Sequence, residues 1–174
     1  MSGHNKWSQI KEKKGATDAQ RSKIFTKLVK LIQVESRLAK GDLNSPSLKA
    51  AIDRARRENM PKDNIERAIK SATESAADEK VVYEAYGPGG CALIIEGLTD
   101  SKNRTSAEIK HLLSKNGYEL ANPGSAMWAF NKTNEGYEPT TTIPLSEEQW
   151  KELTVLLEQI EEHADVQNVF TNAE

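Results

Sequence analysis

The stretch KVVYEAYGPGGCALIIEGLT, residues 80–99, decides the fold. Both of its halves are rich in β-branched and aromatic residues, a composition that favours β-strands. They flank Gly87-Pro88-Gly89-Gly90, and glycine adopts a positive φ without strain. The stretch therefore predicts a β-hairpin with a tight turn at 87–90.

Downstream of this hairpin, the pattern predicts a helix beginning at Thr105 or Ser106 and a second, acidic helix capped by Ser146. Three further strands are predicted, in the segments SAMWAF (125–130), TTTIPL (140–145) and VQNVF (166–170). The order β-β-α-β-β-α-β predicts an α+β, ferredoxin-like sandwich, with helices on one face of an antiparallel sheet, over residues 80–174.

Upstream, the apolar residues recur at helical spacing in three segments. Thr17 and Gln20 fit a capping box ahead of the first, Ser45-Pro46 fits the start of the second, and Met60-Pro61 ends it. We therefore predict a three-helix bundle.

These helices are assigned to a basic domain spanning residues 1–73 that begins with a flexible arm. The polar, aperiodic stretch TESAADE (73–79) is interpreted as the linker to the second domain.

Charge is distributed unevenly along the chain. Residues 1–72 contain 17 Lys/Arg and 8 Asp/Glu, a balance of +9, whereas residues 73–174 contain 7 and 18, a balance of −11. One interpretation is a basic module that binds a polyanion; the other is a pair of oppositely charged modules that attract each other. The clustering of cations on the first helix favours nucleic acid.

The candidate nucleic-acid contacts are basic or aromatic side chains near the N-terminus, together with one arginine in the second domain: His4, Lys6, Trp7, Lys13, Lys14, Arg21, Lys23, Lys27, Lys30 and Arg104. Trp7 either stacks on an unpaired base from a mobile arm or packs back on the bundle. Arg104 lies between Asn103 and Thr105 at a strand-to-helix turn suited to an anion, although capping alone also explains its two neighbours.

Residues for catalysis are sparse. The three histidines are far apart and there is a single cysteine, Cys91, so no zinc set or nucleophile–histidine arrangement stands out. We expect no catalytic residues, no metal and no cofactor. No apolar run is long enough to cross a bilayer, so a cytoplasmic protein without a membrane partner is expected.

Several ordered motifs resemble those of the YebC/PmpR family: GHNKWSQIK (3–11), DAQRSKIFTKL (18–28), YGPGG (86–90), LTDSKNRT (98–105) and DVQNVF (165–170). Possible anion or partner contacts lie within the third and fourth motifs, at Tyr86, Gly87, Gly89, Gly90, Asn103 and Thr105. Family members usually carry a further domain between the strands matching 125–130 and 140–145. Only residues 131–140 connect them here, which resembles a short form.

The resemblance implies a non-enzymatic regulator of gene expression. Its partner would be ribosomal RNA on the ribosome or promoter DNA, with RNA favoured because no helix carries base-reading side chains at suitable spacing. A homodimer is possible. Two alternatives remain, a module that senses a small molecule through the ferredoxin-like domain and an unrecognised hydrolase.

Overall fold

The computed structural model describes residues 3–73 and 78–174. Within them the helices are α1 (Gly3–Lys14), α2 (Asp18–Leu38), α3 (Pro46–Arg57), α4 (Lys62–Lys70), α5 (Lys102–Lys115) and α6 (Glu147–Glu162). The strands are β1 (Glu79–Tyr86), β2 (Ala92–Thr99), β3 (Leu120–Ala121), β4 (Phe130–Thr133), β5 (Gly136–Pro139) and β6 (Val166–Thr171). Across the described segments, no helix has the length and apolar character needed to span a bilayer.

The helices α2, α3 and α4 form one compact unit, residues 16–79. Thr17 and Gln20 form the predicted capping box at the start of α2, and Pro46 occupies the first position of α3. The core of this unit consists of apolar side chains at helical spacing: Leu28, Ile32, Leu48, Ala51, Ala55, Met60, Ile65 and Ala68. The predicted three-helix bundle is confirmed.

The second compact unit is an α/β sandwich whose four-stranded sheet has the order β3-β1-β2-β6. Strand β1 pairs antiparallel with β3, and β2 pairs antiparallel with β6. Side chains of β2 alternate between two cores: Leu93 and Ile95 face the core that includes α5 and α6, whereas Ala92 and Ile94 face a smaller one that includes the β4–β5 hairpin. The predicted α+β class, with both helices on one face of an antiparallel sheet, is confirmed.

Two predicted strands are wrong. In SAMWAF, residues Met127–Ala129 form a 3₁₀ turn and only Phe130 is extended, while TTTIPL contributes only an isolated bridge from Ile143 to Ala173. The segment 131–140, interpreted from the sequence as a bare connection, contains most of the β4–β5 hairpin.

The predicted boundary between the domains also differs from the structure. The described residues up to Gly15 group with Lys80–Glu174 rather than with the three-helix unit. They are not an extended arm, because Gly3–Lys14 is the helix α1. Trp7 is only 1% exposed and lies in the main core of the sandwich, with Ile10 packed against it, so apolar burial holds α1 on this unit. The predicted linker 73–79 falls mainly on residues outside those described.

Candidate nucleic-acid interface

Helix α2 presents cations that other side chains do not neutralise. Arg21 and Lys23 are exposed, and neither forms an ion pair with another described residue. The helix begins at a capping box and directs its apolar stripe into the bundle, so these two cations remain on its outer surface.

A groove of about 510 Å³ runs along α2 and includes Arg21 but not Lys23; it is lined by Asp18, Arg21, Ser22, Phe25, Thr26 and Val29. These positions recur every three or four residues and share one face of the helix. The groove therefore combines the Arg21 guanidinium and the Asp18 carboxylate with two hydroxyl groups and a partly buried phenyl ring. The guanidinium, the hydroxyl groups and the ring can bind a phosphate and an adjacent flat ring together.

The other predicted cations of α2 are less exposed than Arg21 and Lys23. Lys27 and Lys30 are half-buried, and Lys30 Nζ lies 3.7 Å from Asp78 Oδ1. Together, α2, α3 and α4 contain 12 Lys/Arg and 5 Asp/Glu, so the bundle keeps a strong positive excess.

The cations of α1 are placed differently from the prediction, because α1 lies against the acidic helix α6. Lys11 Nζ is 2.9 Å from Glu161 Oε1, and Lys14 forms an ion pair with Glu158. Lys6 Nζ lies 4.1 Å from the centre of the Trp150 ring, a cation–π contact. Lys14 and Lys6 therefore contact groups of the protein itself.

Trp7 also contacts groups of the protein itself. Its indole Nε1 donates to Glu161 Oε1 at 3.0 Å, and burial of the ring leaves no face for a base. The prediction of a stacking Trp7 on a mobile arm is therefore wrong, as is the alternative that Trp7 packs on the bundle. Lys13 stays exposed without an ion pair to any described residue, and the His4 side chain lies outside the described residues.

Arg104 is engaged at the start of α5. Its Nη2 lies 3.0 Å from Asp165 Oδ2 and 2.9 Å from Asp100 Oδ1, and these hydrogen bonds raise the pKa of Arg104 above its usual value. Asp165 is 7% exposed and needs this partner, since an unpaired buried carboxylate is strongly destabilising. Arg104 therefore pairs with carboxylates of the protein itself, and not with a phosphate as predicted.

Of the two predicted contacts beside Arg104, one is buried and the other is exposed. Thr105 is fully buried and its hydroxyl donates to Asp165 Oδ2 at 2.7 Å, so it cannot be an anion contact as predicted. Asn103 is exposed. Ser101, which the sequence did not single out, caps α5 by accepting from the Arg104 amide.

The YGPGG segment is a packed turn. A Cβ on Gly89, whose φ is +66°, would lie 2.5 Å from Leu145 Cδ2, and one on Gly87 would lie 3.2 Å from Cys91 Sγ. Gly87 is buried, which argues against it as a ligand contact, whereas Gly89 is exposed. Burial also raises the pKa of the Cys91 thiol, which favours the neutral form. Gly90 and Tyr86 remain exposed.

One cluster could resemble a metal site. Ligand atoms of Glu108, His163 and Asp165 lie within 4.8 Å of one another. His163 Nε2 is 2.6 Å from Glu108 Oε2, while His163 Nδ1 accepts from the Asp165 amide at 3.1 Å. With Asp165 also paired to Arg104, these groups satisfy each other, and the cluster is a hydrogen-bonded network that contains the Arg104–Asp165 ion pair.

The fold and its basic surface define a two-unit α+β protein, in which a cationic three-helix bundle accompanies an α/β sandwich. The model of the "TACO1/YebC protein N-terminal domain" matches residues 5–75, and that of the "TACO1/YebC second and third domain" matches residues 78–135. The chain belongs to the TACO1/YebC family.

Curated relatives carry a regulatory name. A protein of Desulfatibacillum aliphaticivorans is 47% identical over 98% of this chain and 71% of its own length, and one of Desulforapulum autotrophicum is 52% identical over 76% and 55%. Both are named probable transcriptional regulatory proteins. The chain thus spans 71% and 55% of the length of these two relatives.

A solved structure shares the fold. The crystal structure of a conserved hypothetical protein from Aquifex aeolicus, Aq1575, superposes with a TM-score of 0.78 at 30% sequence identity. The alignment covers 90% of this chain and 91% of that one.

Proposed function

We propose that this protein is a non-enzymatic, cytoplasmic regulator of gene expression that binds nucleic acid through α2. The observation that carries the proposal is that Arg21 and Lys23 are exposed on α2 without an ion pair to any described residue, and that Arg21 lines the groove at Phe25. Such cations bind the phosphate backbone by releasing counterions, without reading sequence. The regulatory names of the curated relatives support the same class of function.

We favour RNA over DNA as the target. Phe25 offers a flat apolar ring within reach of an unpaired base, whereas a duplex keeps its bases stacked inside. Ribosomal RNA would place the protein in translation, and promoter DNA would place it in transcription. Crosslinking in cells, followed by sequencing of the bound RNA and DNA, separates the two: enrichment of ribosomal RNA supports the first, and enrichment of promoters overturns our preference.

The contact itself is tested with purified protein. We expect the double variant Arg21→Gln/Lys23→Gln to bind a fluorescein-labelled 20-nucleotide RNA more weakly than the wild type. Loss of two phosphate contacts lowers the slope of log K against log salt by about 1.4 for a single strand. The measurement is fluorescence anisotropy over a series of salt concentrations.

The matched control is Lys110→Gln/Lys115→Gln, which removes two exposed lysines from α5. This control should keep both the affinity and the salt slope of the wild type. Identical slopes for all three proteins would overturn the assignment to α2, and the absence of any salt-sensitive binding would overturn the proposed function.

A further inference from the structure

Three apolar side chains are exposed on or beside β1 of the sandwich. Trp128 is 61% exposed, more than any other large apolar side chain among the described residues, while Val82 is 44% and Tyr86 37% exposed. Val82, Tyr86 and Trp128 are called the aromatic surface below. By contrast, Trp7 and Trp150 are 1% and 8% exposed.

A buried carboxylate on β1 binds the loop that precedes Trp128. Val82, Glu84 and Tyr86 alternate along β1 and therefore share one face of the sheet. Glu84 is 5% exposed, and its carboxylate accepts from three backbone amides of the following loop: Gly124 at 2.6 Å, Ala126 at 2.8 Å and Met127 at 3.0 Å.

Tyr86 binds the same loop from the same face of β1, because its hydroxyl donates to the Ser125 carbonyl. The loop is thus anchored at four consecutive residues, and Trp128 follows immediately after them. An exposed ring next to an anchored backbone loses less freedom on binding a partner than a ring on an unanchored loop. Clustered exposed apolar groups of this kind mark binding surfaces.

The side chains near Trp128 indicate its partner. Lys132, four residues after Trp128, is exposed, and Asn122 and Asn131 are exposed polar amides in the same segment. Glu119 and Glu135 flank this segment, and Glu138 is the cross-strand neighbour of Asn131. An exposed flat ring with an ammonium and amide groups on the same segment suits a base and its phosphate.

We propose that the aromatic surface stacks unpaired bases of single-stranded RNA, with Trp128 as the main platform. This inference rests on the proposed function, and it adds a second contact that selects single strands over duplexes. A base paired inside a helix cannot offer its face to Trp128, whereas cations on α2 bind the backbone of either form.

The test compares a fluorescein-labelled 15-nucleotide oligouridine with a 15-base-pair RNA duplex at one salt concentration. Loss of stacking in Trp128→Ala should weaken binding of the single strand about 5- to 100-fold and leave duplex binding unchanged. Trp128→Phe should restore most of the affinity. Val155→Ala, at a residue that is 50% exposed on α6, is the matched control and should bind both as the wild type does.

A direct readout comes from acrylamide quenching of tryptophan fluorescence. Since Trp7 and Trp150 are buried, quenching of the free protein reports mainly on Trp128, and saturating oligouridine should suppress it. Unchanged quenching, or an equal loss of single-strand and duplex affinity in Trp128→Ala, overturns the inference.

The two proposals fail separately. If Arg21→Gln/Lys23→Gln weakens binding while Trp128→Ala changes nothing, the proposed function stands and the aromatic surface has another partner. Absence of binding to either probe overturns both.

Discussion

Glu84 illustrates how a single residue organises a surface. A carboxylate that leaves water needs full hydrogen-bonding compensation, and here three backbone amides supply it. In return, those amides cannot join a strand, which explains why Met127–Ala129 forms a 3₁₀ turn where the sequence pattern predicted a strand.

We expect Glu84→Gln to lower the free energy of unfolding by about 1–3 kcal/mol, because the amide group places a donor against a backbone donor. Urea denaturation measures the change. Glu138→Gln, at an exposed position on β5, is the control and should stay within about 0.5 kcal/mol of the wild type. A Glu84→Gln protein as stable as this control would show that the loop is held without the charge.

The candidate site was only partly predictable residue by residue. Arg21 and Lys23 are exposed on α2, as a contact with nucleic acid requires, and that contact stays a prediction. Lys14 and Arg104 instead form ion pairs with Glu158 and Asp165, which are 144 and 61 residues away in the chain. No local pattern encodes such pairings.

At the scale of elements, local signals decided which predictions succeeded. The helices α2 and α3 carry explicit start signals, a capping box and a proline, and the bundle follows from their apolar stripes. Helix α1 has a weaker pattern and was interpreted as an arm, because its stabilising partner is the distant core around Trp7. The β4–β5 hairpin was missed since its short strands are mostly polar.

Gly136, the first residue of β5, provides a test of that hairpin. Its φ is +134°, and a Cβ there would lie 2.2 Å from Phe170 Cζ in the smaller core. Gly136→Ala should therefore combine backbone strain with a steric clash and destabilise the protein by about 2–4 kcal/mol.

Gly117→Ala separates these two contributions. Gly117 also has a positive φ, +84°, but nothing lies within 4 Å of the added Cβ. This variant should lose only about 1 kcal/mol, as strain alone predicts. Equal thermal unfolding temperatures for the two variants would argue against the close approach of Phe170 to β5.

At the scale of the whole molecule, the division of the chain into units differs from its division by charge. The sequence places α1 with the other basic helices, whereas burial of Trp7 and attraction to α6 group it with the sandwich. Helix α1 carries four lysines and one glutamate, and α6 carries six glutamates and one lysine. The idea that basic and acidic segments attract each other is thus realised inside one unit, between α1 and α6.

This grouping predicts where the effect of removing Trp7 is felt. Trp7→Ala deletes a side chain that is 1% exposed, together with its bond to Glu161, and should destabilise the sandwich by about 3–5 kcal/mol. Native-state hydrogen exchange should then show faster exchange in β2, β6 and α6, while amides of α2, α3 and α4 keep their protection, because their core contains no residue of α1. Trp128→Ala is the matched control, since it removes an exposed indole and should leave both units protected. Faster exchange in α2–α4 with an unchanged sandwich would instead show that α1 belongs to the basic bundle. The units of the chain would then coincide with its division by charge.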